Sequence, residues 1–387
     1  MPTSTSSPDV IIIGGGVIGL MAAWRLAQAG YGVTVFEKGK PGAEASSAAL
    51  GILLAAPGAD SSDEVVAAHA RMSQASVARY PDIAAELLAL THVDVALRTE
   101  GVLHLALTDD DARMNQRIAR EYQAGGLPVS LLSAEDVARL EPNLGPNIQG
   151  ALHLQSAQQV DNVRLCAALT LAAREAGVII QSGQQVNALL AEGRRVTGVQ
   201  VGGQSHRTDW VVVAAGSWSG SIDGLSLPVR PAKGQAIALE APFVINHSLE
   251  SAYGYIAPRR DGRLVVGATV EEAGFDKRST AQGILELLAR AIQVIPALKE
   301  ATFLQAWAGL RPRASDDLPV LGPSARAEGL IIATGHFQKG ILLAPITAQL
   351  VVDWVSGQPP TVDVTPYSPD RFREPLLSIV SPKEVKR

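Results

Sequence analysis

A glycine-rich turn between an apolar strand and an apolar helix constrains the fold of this chain more than any other feature. Residues 10–13 are all β-branched, which is typical of a strand buried on both faces of a parallel sheet. The turn GGGVIG at 14–19 follows directly, and a helix is predicted from about Val17 to Ala29. A second strand at 33–36 ends at Glu37, so the beginning of the chain predicts a complete βαβ unit.

The spacing Gly14-x-Gly16-x-x-Gly19 in this context is typical of a dinucleotide-binding turn. The first glycine permits the tight turn, the second lets main chain approach a pyrophosphate, and the third lets helix and strand pack closely. The helix N-terminus offers unpaired N–H groups to the phosphates. Glu37 is predicted to accept hydrogen bonds from the ribose hydroxyls. FAD and NAD share the adenosine diphosphate half, so the turn alone does not choose between them.

The rest of the chain mixes two kinds of pattern. A helix at 161–176 and strands at 178–180 and 210–216 continue the α/β pattern of the first residues. Apolar and polar residues alternate at 93–107 around a glycine, and a second pair of short strands at 255–267 flanks an Asp-Gly turn. These two regions predict antiparallel pairs in a separate α+β layer.

After about Ala306 the sequence predicts a loop, a strand at 330–334 and a last helix at 342–355. The predicted fold class is α/β, with a Rossmann-like FAD-binding domain and an inserted α+β substrate domain built on an antiparallel sheet. The FAD-binding domain is assigned residues 1–90, 145–225 and 306–387, and the substrate domain is assigned residues 91–144 and 226–305.

Composition excludes several classes of protein. Asp and Glu number 38 against 33 Lys and Arg, a net charge of −5, so no general positive field attracts nucleic acid or an anionic membrane. A single cysteine, Cys166, cannot close an intramolecular disulfide, which excludes a secreted disulfide scaffold and favours the cytoplasm. The apolar run at 10–24 is short and contains four glycines, so neither a signal peptide nor a membrane span is expected. The histidines have no metal-ligand spacing, and no metal site is expected.

Four further segments carry a resemblance to a known family: EASSAALG at 44–51, VVAAGSWS at 212–219, WAGLRP at 307–312 and GHFQKGILLAP at 335–345. Together with the glycine-rich turn they resemble the glycine oxidase group of the D-amino-acid oxidase family of FAD-dependent oxidoreductases, over nearly the whole chain. The resemblance implies non-covalent FAD, an inserted substrate domain and oxidation of a small amino acid with oxygen as electron acceptor. It also implies a connection to thiamine thiazole synthesis.

The resemblance further implies which residues contact the cofactor. Gly340 and Ile341 would direct N–H groups at the flavin C2 carbonyl, where a helix N-terminus stabilises the negative charge that accumulates on reduction. The expected contacts are Gly14, Gly16, Val17, Ile18 and Gly19 at the pyrophosphate, Glu37 at the ribose, Ser46 and Ser47 near the phosphates, Gly51, Ile52 and Leu53 at the isoalloxazine ring, Val186 at the adenine, and Gly216, Trp218, Arg311, His336, Phe337, Gln338, Lys339, Gly340 and Ile341 elsewhere on the cofactor.

By the same resemblance, Arg311 and Tyr255 hold the substrate. A buried guanidinium can bind a carboxylate through two hydrogen bonds and so orient the Cα hydrogen toward the flavin. No base at carbon is required, because the lone pair of the deprotonated amine drives hydride departure. Gln338, the third candidate catalytic residue, stands where the glycine oxidase pattern has an arginine, and Lys339 either compensates or points elsewhere. Ile52 replaces the usual methionine, so sarcosine and D-alanine stay open beside glycine.

Structural roles compete with some of these assignments. Arg311 could instead pair with Asp316 or Asp317 as a loop arginine. Tyrosine is common on strands for packing reasons, which gives Tyr255 a structural alternative. His336 is interpreted as a buried structural histidine rather than a base. Cys166 lies in an apolar helix and is interpreted as a small buried hydrophobic residue.

Three functions compete with an amino-acid oxidase. The first is an FAD-dependent dehydrogenase of an amino or 2-hydroxy acid that passes electrons to an acceptor other than oxygen. The second is a flavin module acting on aminomethyl groups of tRNA, which the negative net charge disfavours. The third is a flavin-binding protein without turnover. The expected partners are a small amino acid and oxygen, with no nucleic acid and no membrane, and a homo-oligomer is left open.

Overall fold

The computed structural model describes residues 7–372 and 376–377. In chain order the strands are β1 (Val10–Ile13), β2 (Val33–Glu37), β3 (Ile52–Leu53), β4 (Val102–Ala106), β5 (Val129–Ser133), β6 (Gly150–Leu154), β7 (Gln158–Gln159), β8 (Ile179–Ser182), β9 (Val186–Glu192), β10 (Arg195–Val201), β11 (Gln204–Arg207), β12 (Trp210–Val213), β13 (Val229–Glu240), β14 (Ser248–Ser251), β15 (Gly254–Pro258), β16 (Arg263–Gly267), β17 (Thr302–Ala314), β18 (Val320–Ser324) and β19 (Ala327–Thr334).

The helices are α1 (Val17–Gln28), α2 (Ala45–Ala48), α3 (Glu64–Val77), α4 (Tyr80–Thr91), α5 (Asp109–Ala124), α6 (Ala134–Leu140), α7 (Asn162–Glu175), α8 (Ala281–Val294) and α9 (Gly340–Val355). Short 3₁₀ turns include Gly216–Ser221 and Phe337–Lys339. Among the residues the structure describes, no helix is both long and apolar enough to cross a bilayer.

The first sheet has the order β11-β10-β19-β12-β1-β2-β8, with β18 beside β19 and β9 beside β10. Its central strands are parallel, and β1 lies between β12 and β2. Helix α1 packs against α7 and α9 on this sheet, where Trp24 is fully buried. The apolar character of β1 follows from this position, because a central parallel strand is covered on both faces. The predicted βαβ unit and the helix at 161–176 are confirmed, and the strand predicted at 210–216 is observed over the shorter range 210–213.

The second sheet has the order β17-β13-β16-β15-β14-β4-β6-β5 and is antiparallel except between β14 and β4. Helix α8 covers one face, where Ile237, Ile256 and Val266 meet Leu287. Because side chains alternate along a strand, Tyr255 lies on the opposite face, which is directed at the glycine-rich turn. The predicted fold class, a Rossmann-like unit with a largely antiparallel second layer, is confirmed, as is the hairpin at 255–267.

The antiparallel pair predicted at 93–107 is wrong in its first half. Only Val102–Ala106 forms a strand, and it pairs with β6 and β14 instead of with 93–100. Ala96 has φ 53° and Gly101 has φ 88°, so the backbone between them is not an extended strand. Arg98 forms only an isolated bridge with Gln159.

The loop predicted after Ala306 is also wrong. Residues 302–314 form β17, which pairs with β13 along its whole length. In the run WAGLRPR, glycine and proline interrupt the alternation of apolar and polar residues that marks a strand. The segment is extended because it pairs with the long strand β13. The second sheet thus includes β6 and β17 in addition to strands from 91–144 and 226–305. The outer ends of the segments 1–90 and 306–387 lie outside the described residues.

Candidate active site

A cavity of about 500 Å³ lies where the N-termini of α1 and α9 meet the open face of the second sheet. This volume is in the range of cofactor and ligand sites. The candidate residues that line it are Gly14, Gly16, Val17, Ile18, Glu37, Ser46, Gly51, Ile52, Val186, Gly216, Trp218, Tyr255, Arg311, His336, Phe337, Gln338, Lys339, Gly340 and Ile341. Three other candidates, Gly19, Ser47 and Leu53, lie outside its wall, each for a local reason.

The glycines of the turn at 14–19 are fixed by contacts between main-chain atoms. Gly14 has φ 106°, and a Cβ there would lie 2.5 Å from the carbonyl oxygen of Ala214, the residue that directly follows the neighbouring strand β12. A Cβ on Gly19 would lie 2.0 Å from the carbonyl oxygen of Gly14. Gly19 therefore does not face the cavity but lets α1 begin directly against β1.

Glu37 and Ser46 hold the turn from opposite sides. The Glu37 carboxylate is 7% exposed and accepts 2.7 Å hydrogen bonds from the N–H groups of Gly15 and Gly39. Each carboxylate oxygen keeps a second lone pair, so acceptance from a hydroxyl in the cavity is still available. Ser46 Oγ accepts from Val17 N at 2.9 Å, at the start of α1. The Ser47 hydroxyl instead donates to the carbonyl of Gly42, away from the cavity.

Gly51 and Leu53 have structural reasons for their identities. Gly51 has φ 78°, and a Cβ would lie 2.1 Å from the carbonyl oxygen of Val160. Glycine is therefore required at position 51 because the backbone carbonyl of Val160 occupies the space of a side chain. Leu53 is fully buried in the hydrophobic core, because side chains alternate along β3 and only Ile52 points into the cavity.

The loop before α9 presents polar side chains beside the N-terminus of that helix. Gln338 is exposed and makes no side-chain hydrogen bond among the described residues, while Lys339 Nζ lies 2.6 Å from His69 Nε2. Burial, with a smaller contribution from Lys339, lowers the pKa of His69 to about 4. His336 is 3% exposed and contacts Thr347 Oγ1 at 3.1 Å, and burial lowers its pKa to about 3. Both imidazoles are therefore neutral near pH 7.

Arg311 lies on the cavity-facing side of β17. Its Nη1 donates to the carbonyl of Thr269 at 3.0 Å and makes a longer contact of 3.4 Å with the carbonyl of Lys233. Burial lowers the pKa of its guanidinium, opposed by the charge of Glu271. In the described part of the chain Arg311 forms no ion pair, so its charge is available to an anion.

The alternative in which Arg311 pairs with a nearby aspartate is not observed. Asp316 binds Arg371 at 2.7 Å, and Asp317 binds Arg313. Over the part of the chain that the structure describes, Arg313, not Arg311, is the arginine of β17 that pairs with acidic side chains, contacting Glu272 and Asp317.

Tyr255 faces the cavity beside Tyr122, and its hydroxyl donates to Glu250 Oε1 at 2.5 Å. Burial, with a further contribution from Glu250, raises the pKa of Tyr255 above its ordinary value. Burial likewise raises the pKa of Tyr122, whose hydroxyl donates to Ala55 O. Both phenols therefore keep their protons near neutral pH.

Sequence reasoning missed several residues of this site. Gly234 faces Arg311, and a Cβ there would lie 2.2 Å from the guanidinium Nη1. Glu250 binds Tyr255 from the adjacent strand, and His69 reaches the loop before α9 from α3. No local pattern marks them, because strand register and helix packing create each contact. Lys38 was also missed, and its Nζ lies 3.0 Å from the ring centre of Trp218 at the cavity wall.

The donor set fits a flavin dinucleotide. The first turns of α1 and α9 contain no acidic residue, so their N–H groups and helix dipoles favour a diphosphate and a developing negative charge. Gly16 has no side chain to cover the main chain beside the N-terminus of α1. Glu37 supplies a buried hydrogen-bond acceptor in the same cavity as Val186. Among the described residues, no cluster of His, Cys, Asp and Glu could hold a metal ion. Burial raises the pKa of the Cys166 thiol to about 12, consistent with a buried hydrophobic residue.

Comparison with known proteins identifies the family and the fold. Residues 9–354 match the DAO family model, described as FAD dependent oxidoreductase. The chain is 37% identical to a glycine oxidase of Pseudomonas putida over 94% of this chain and 99% of that protein. The crystal structure of glycine oxidase from Geobacillus kaustophilus superposes with a TM-score of 0.88 at 33% identity, covering 97% of this chain and 100% of that one. Iminodiacetate oxidase from Chelativorans superposes with a TM-score of 0.84 at 30% identity, over 93% and 98% of the two chains.

Proposed function

Because the chain belongs to the DAO family of FAD-dependent oxidoreductases, we propose that it is an oxidase of a small amino acid, glycine or a close relative such as sarcosine or D-alanine. The observation that carries this proposal is the guanidinium of Arg311, which has no ion-pair partner among the described residues and faces the same cavity as two helix N-termini. A zwitterion needs a cation for its carboxylate, and a reduced flavin needs donors for its negative edge.

When bound, FAD supplies the acceptor for the two electrons and the Cα hydrogen that leave the substrate as hydride, and oxygen then reoxidises it to give hydrogen peroxide. The chain's residues hold it in place. The N–H groups at the start of α1, with Gly16 and Ser46, would bind the diphosphate, and Glu37 would accept from the ribose. Gly340 and Ile341, at the start of α9, would supply N–H groups to the flavin.

Arg311 binds the substrate carboxylate and sets the direction of the Cα–H bond. Its contacts with the carbonyls of Thr269 and Lys233 hold the guanidinium through Nη1 and leave Nε and Nη2 as donors for a carboxylate. Gly234 provides the room for this position. Apolar residues such as Ile52 exclude water from the reacting centre, and the imine product hydrolyses to a 2-oxo acid and ammonia.

Which small amine the protein prefers depends on the residues of the cavity wall near α9. Gln338 supplies an amide rather than a second guanidinium, so Arg311 alone provides the cation for the carboxylate in this proposal. A methyl group on nitrogen or on Cα adds no charge, which is why sarcosine and D-alanine stand beside glycine. In this assignment the first sheet and its helices form the FAD-binding domain, and the second sheet forms the substrate-binding domain.

Anaerobic mixing of the purified protein with glycine, sarcosine, D-alanine and D-proline tests the proposal. Bleaching of the flavin absorbance by at least one of them is expected, and the fastest identifies the preferred substrate. Peroxide release under air distinguishes an oxidase from a dehydrogenase that uses another acceptor. A yellow protein that none of the four bleaches would contradict the proposal and favour flavin binding without turnover.

A further inference from the structure

Glu250 and Tyr255 form a hydrogen-bonded pair at the cavity wall. They are register partners on β14 and β15, so both side chains project from the same face of the sheet. Tyr255 lines the cavity and its hydroxyl donates to Glu250 Oε1 at 2.5 Å, while Glu250 is half-buried and is not part of the cavity lining. The hydroxyl hydrogen is therefore directed at the carboxylate, and the oxygen lone pairs are left as acceptors.

Within the described residues, Glu250 has no cationic partner, and Tyr255 is its sole hydrogen-bond donor. The titratable groups that face it are Tyr255 on β15, Tyr122 on α5 and His104, its register partner on β4. The His104 ring is engaged by the Asn115 side chain. The Glu250 carboxylate therefore faces the Tyr255 hydroxyl with no cation paired to it in this part of the structure.

An amino acid near neutral pH carries an ammonium group, and its nitrogen lone pair is available for hydride departure only after one N–H proton has left. The cavity holds Arg311 for the carboxylate, and His69 and Lys339 bind each other. Resting on the function proposed above, we propose that Glu250 takes up the substrate's ammonium proton through the hydroxyl of Tyr255.

The step is a balanced proton relay. The ammonium N–H bond breaks as its proton bonds to the Tyr255 oxygen, and the original Tyr255 proton moves to Glu250 Oε1. The products are a neutral amine, an unchanged tyrosine and a protonated glutamic acid, with no change in redox state. Glu250 acts through Tyr255 and is therefore a positioning residue, whereas Tyr255 contacts the substrate.

Binding of a non-reactive amino acid tests the relay without turnover. 2-Aminoisobutyrate has no hydrogen on Cα, so it cannot reduce the flavin, and its affinity is read from the perturbation of the flavin spectrum. In the FAD-loaded wild type the proton stays inside the complex, so affinity is expected to be flat between neutral pH and the pKa of the amine. In Glu250→Gln, which keeps the shape but cannot take the proton, affinity should fall about tenfold per pH unit below that pKa.

The rate of anaerobic flavin reduction supplies the second measurement. Glu250→Gln and Tyr255→Phe should both be slow at neutral pH and approach the wild-type rate above the pKa of the substrate amine. Glu121→Gln, an exposed neighbour on α5, is the matched control and should keep the wild-type profile at every pH. A structural role would instead slow the variants equally at all pH values.

Two results would overturn the relay: a wild-type affinity that itself falls tenfold per pH unit, or a Glu250→Gln profile that stays flat. Failure of the proposed oxidase function is distinguishable from both, because in that case the wild type shows no flavin reduction at any pH.

Discussion

Main-chain atoms form one end of the cavity, whereas side chains form the other. At the turn end, defined by residues 14–18 with Glu37 and Ser46, the contacts are N–H groups and glycines pressed against carbonyl oxygens. At the sheet end, defined by Gly234, Tyr255 and Arg311, long side chains from separate strands converge. Contacts made by main-chain atoms leave little room for substitution, which would suit a ligand group that does not vary, such as a diphosphate. At the sheet end, by contrast, replacing one side chain would be enough to change which ligand fits.

The largest effect is expected at the turn end. Gly14→Ala places a Cβ 2.5 Å from the carbonyl oxygen of Ala214 at φ 106°, so the turn must open. We expect a loss of stability of about 3 kcal/mol and a protein that purifies without flavin, measured by denaturant unfolding and by visible absorbance. Gly30→Ala is the matched control, since it has φ 92° but nothing within 4 Å. It should lose about 1 kcal/mol and stay yellow; a yellow Gly14→Ala protein would show that the turn end tolerates side chains.

Arg311→Ala should impair substrate binding at the sheet end and leave cofactor binding at the turn end intact. Loss of a charge-assisted hydrogen bond of about 1.5–3 kcal/mol predicts a fall in kcat/KM of roughly 10- to 150-fold, mainly through KM, with the flavin still bound. Steady-state kinetics and the flavin spectrum measure both quantities. Arg230→Ala removes an exposed arginine from the neighbouring strand and should leave kinetics unchanged. Equal kinetics in Arg311→Ala and wild type would remove Arg311 from the site.

The pH dependence of the free energy of unfolding tests whether His336, in the loop before α9, is neutral in the folded protein. Its pKa is lowered from 6.5 to about 3, so between these values the unfolded chain binds a proton that the folded chain does not. The free energy of unfolding should therefore fall with decreasing pH by up to about 1.4 kcal/mol per unit from this group. Chemical denaturation of wild type and His336→Gln from pH 7 to pH 4 measures the difference. A wild-type slope no steeper than that of the variant would mean that this histidine is already protonated.

Gly234→Ala should give the smallest effect. The added methyl would lie 2.2 Å from Arg311 Nη1, and the flexible side chain can move to relieve the overlap. We expect about 1 kcal/mol of lost transition-state binding, a roughly fivefold lower kcat/KM, with unchanged flavin content. Gly125→Ala has no atom closer than 3.5 Å and should match the wild type. A larger loss than in Arg311→Ala would mean that Gly234 does more than make room.

The two ends also differ in how far the sequence could predict them. The glycine spacing, Glu37 and the apolar strands lie within one βαβ unit, so local pattern was enough to predict their arrangement. The motif around Arg311 predicts the residue but not its strand, because β17 is ordered by pairing with β13. Glu250 and Gly234 have no local signal, since register across separate strands brings them beside Tyr255 and Arg311. Leu53 lies in the core and not in the cavity wall because side chains alternate along its two-residue strand.

The most direct test of the account compares one absorbance trace in two proteins. Wild type and Arg311→Ala, both loaded with FAD and kept free of oxygen, are mixed with the same concentration of glycine or the preferred small amine. The account predicts equal flavin absorbance before mixing, rapid bleaching of the wild type and a trace at least tenfold slower in the variant at subsaturating amine. Equal bleaching rates, or a wild type that stays yellow, would contradict it.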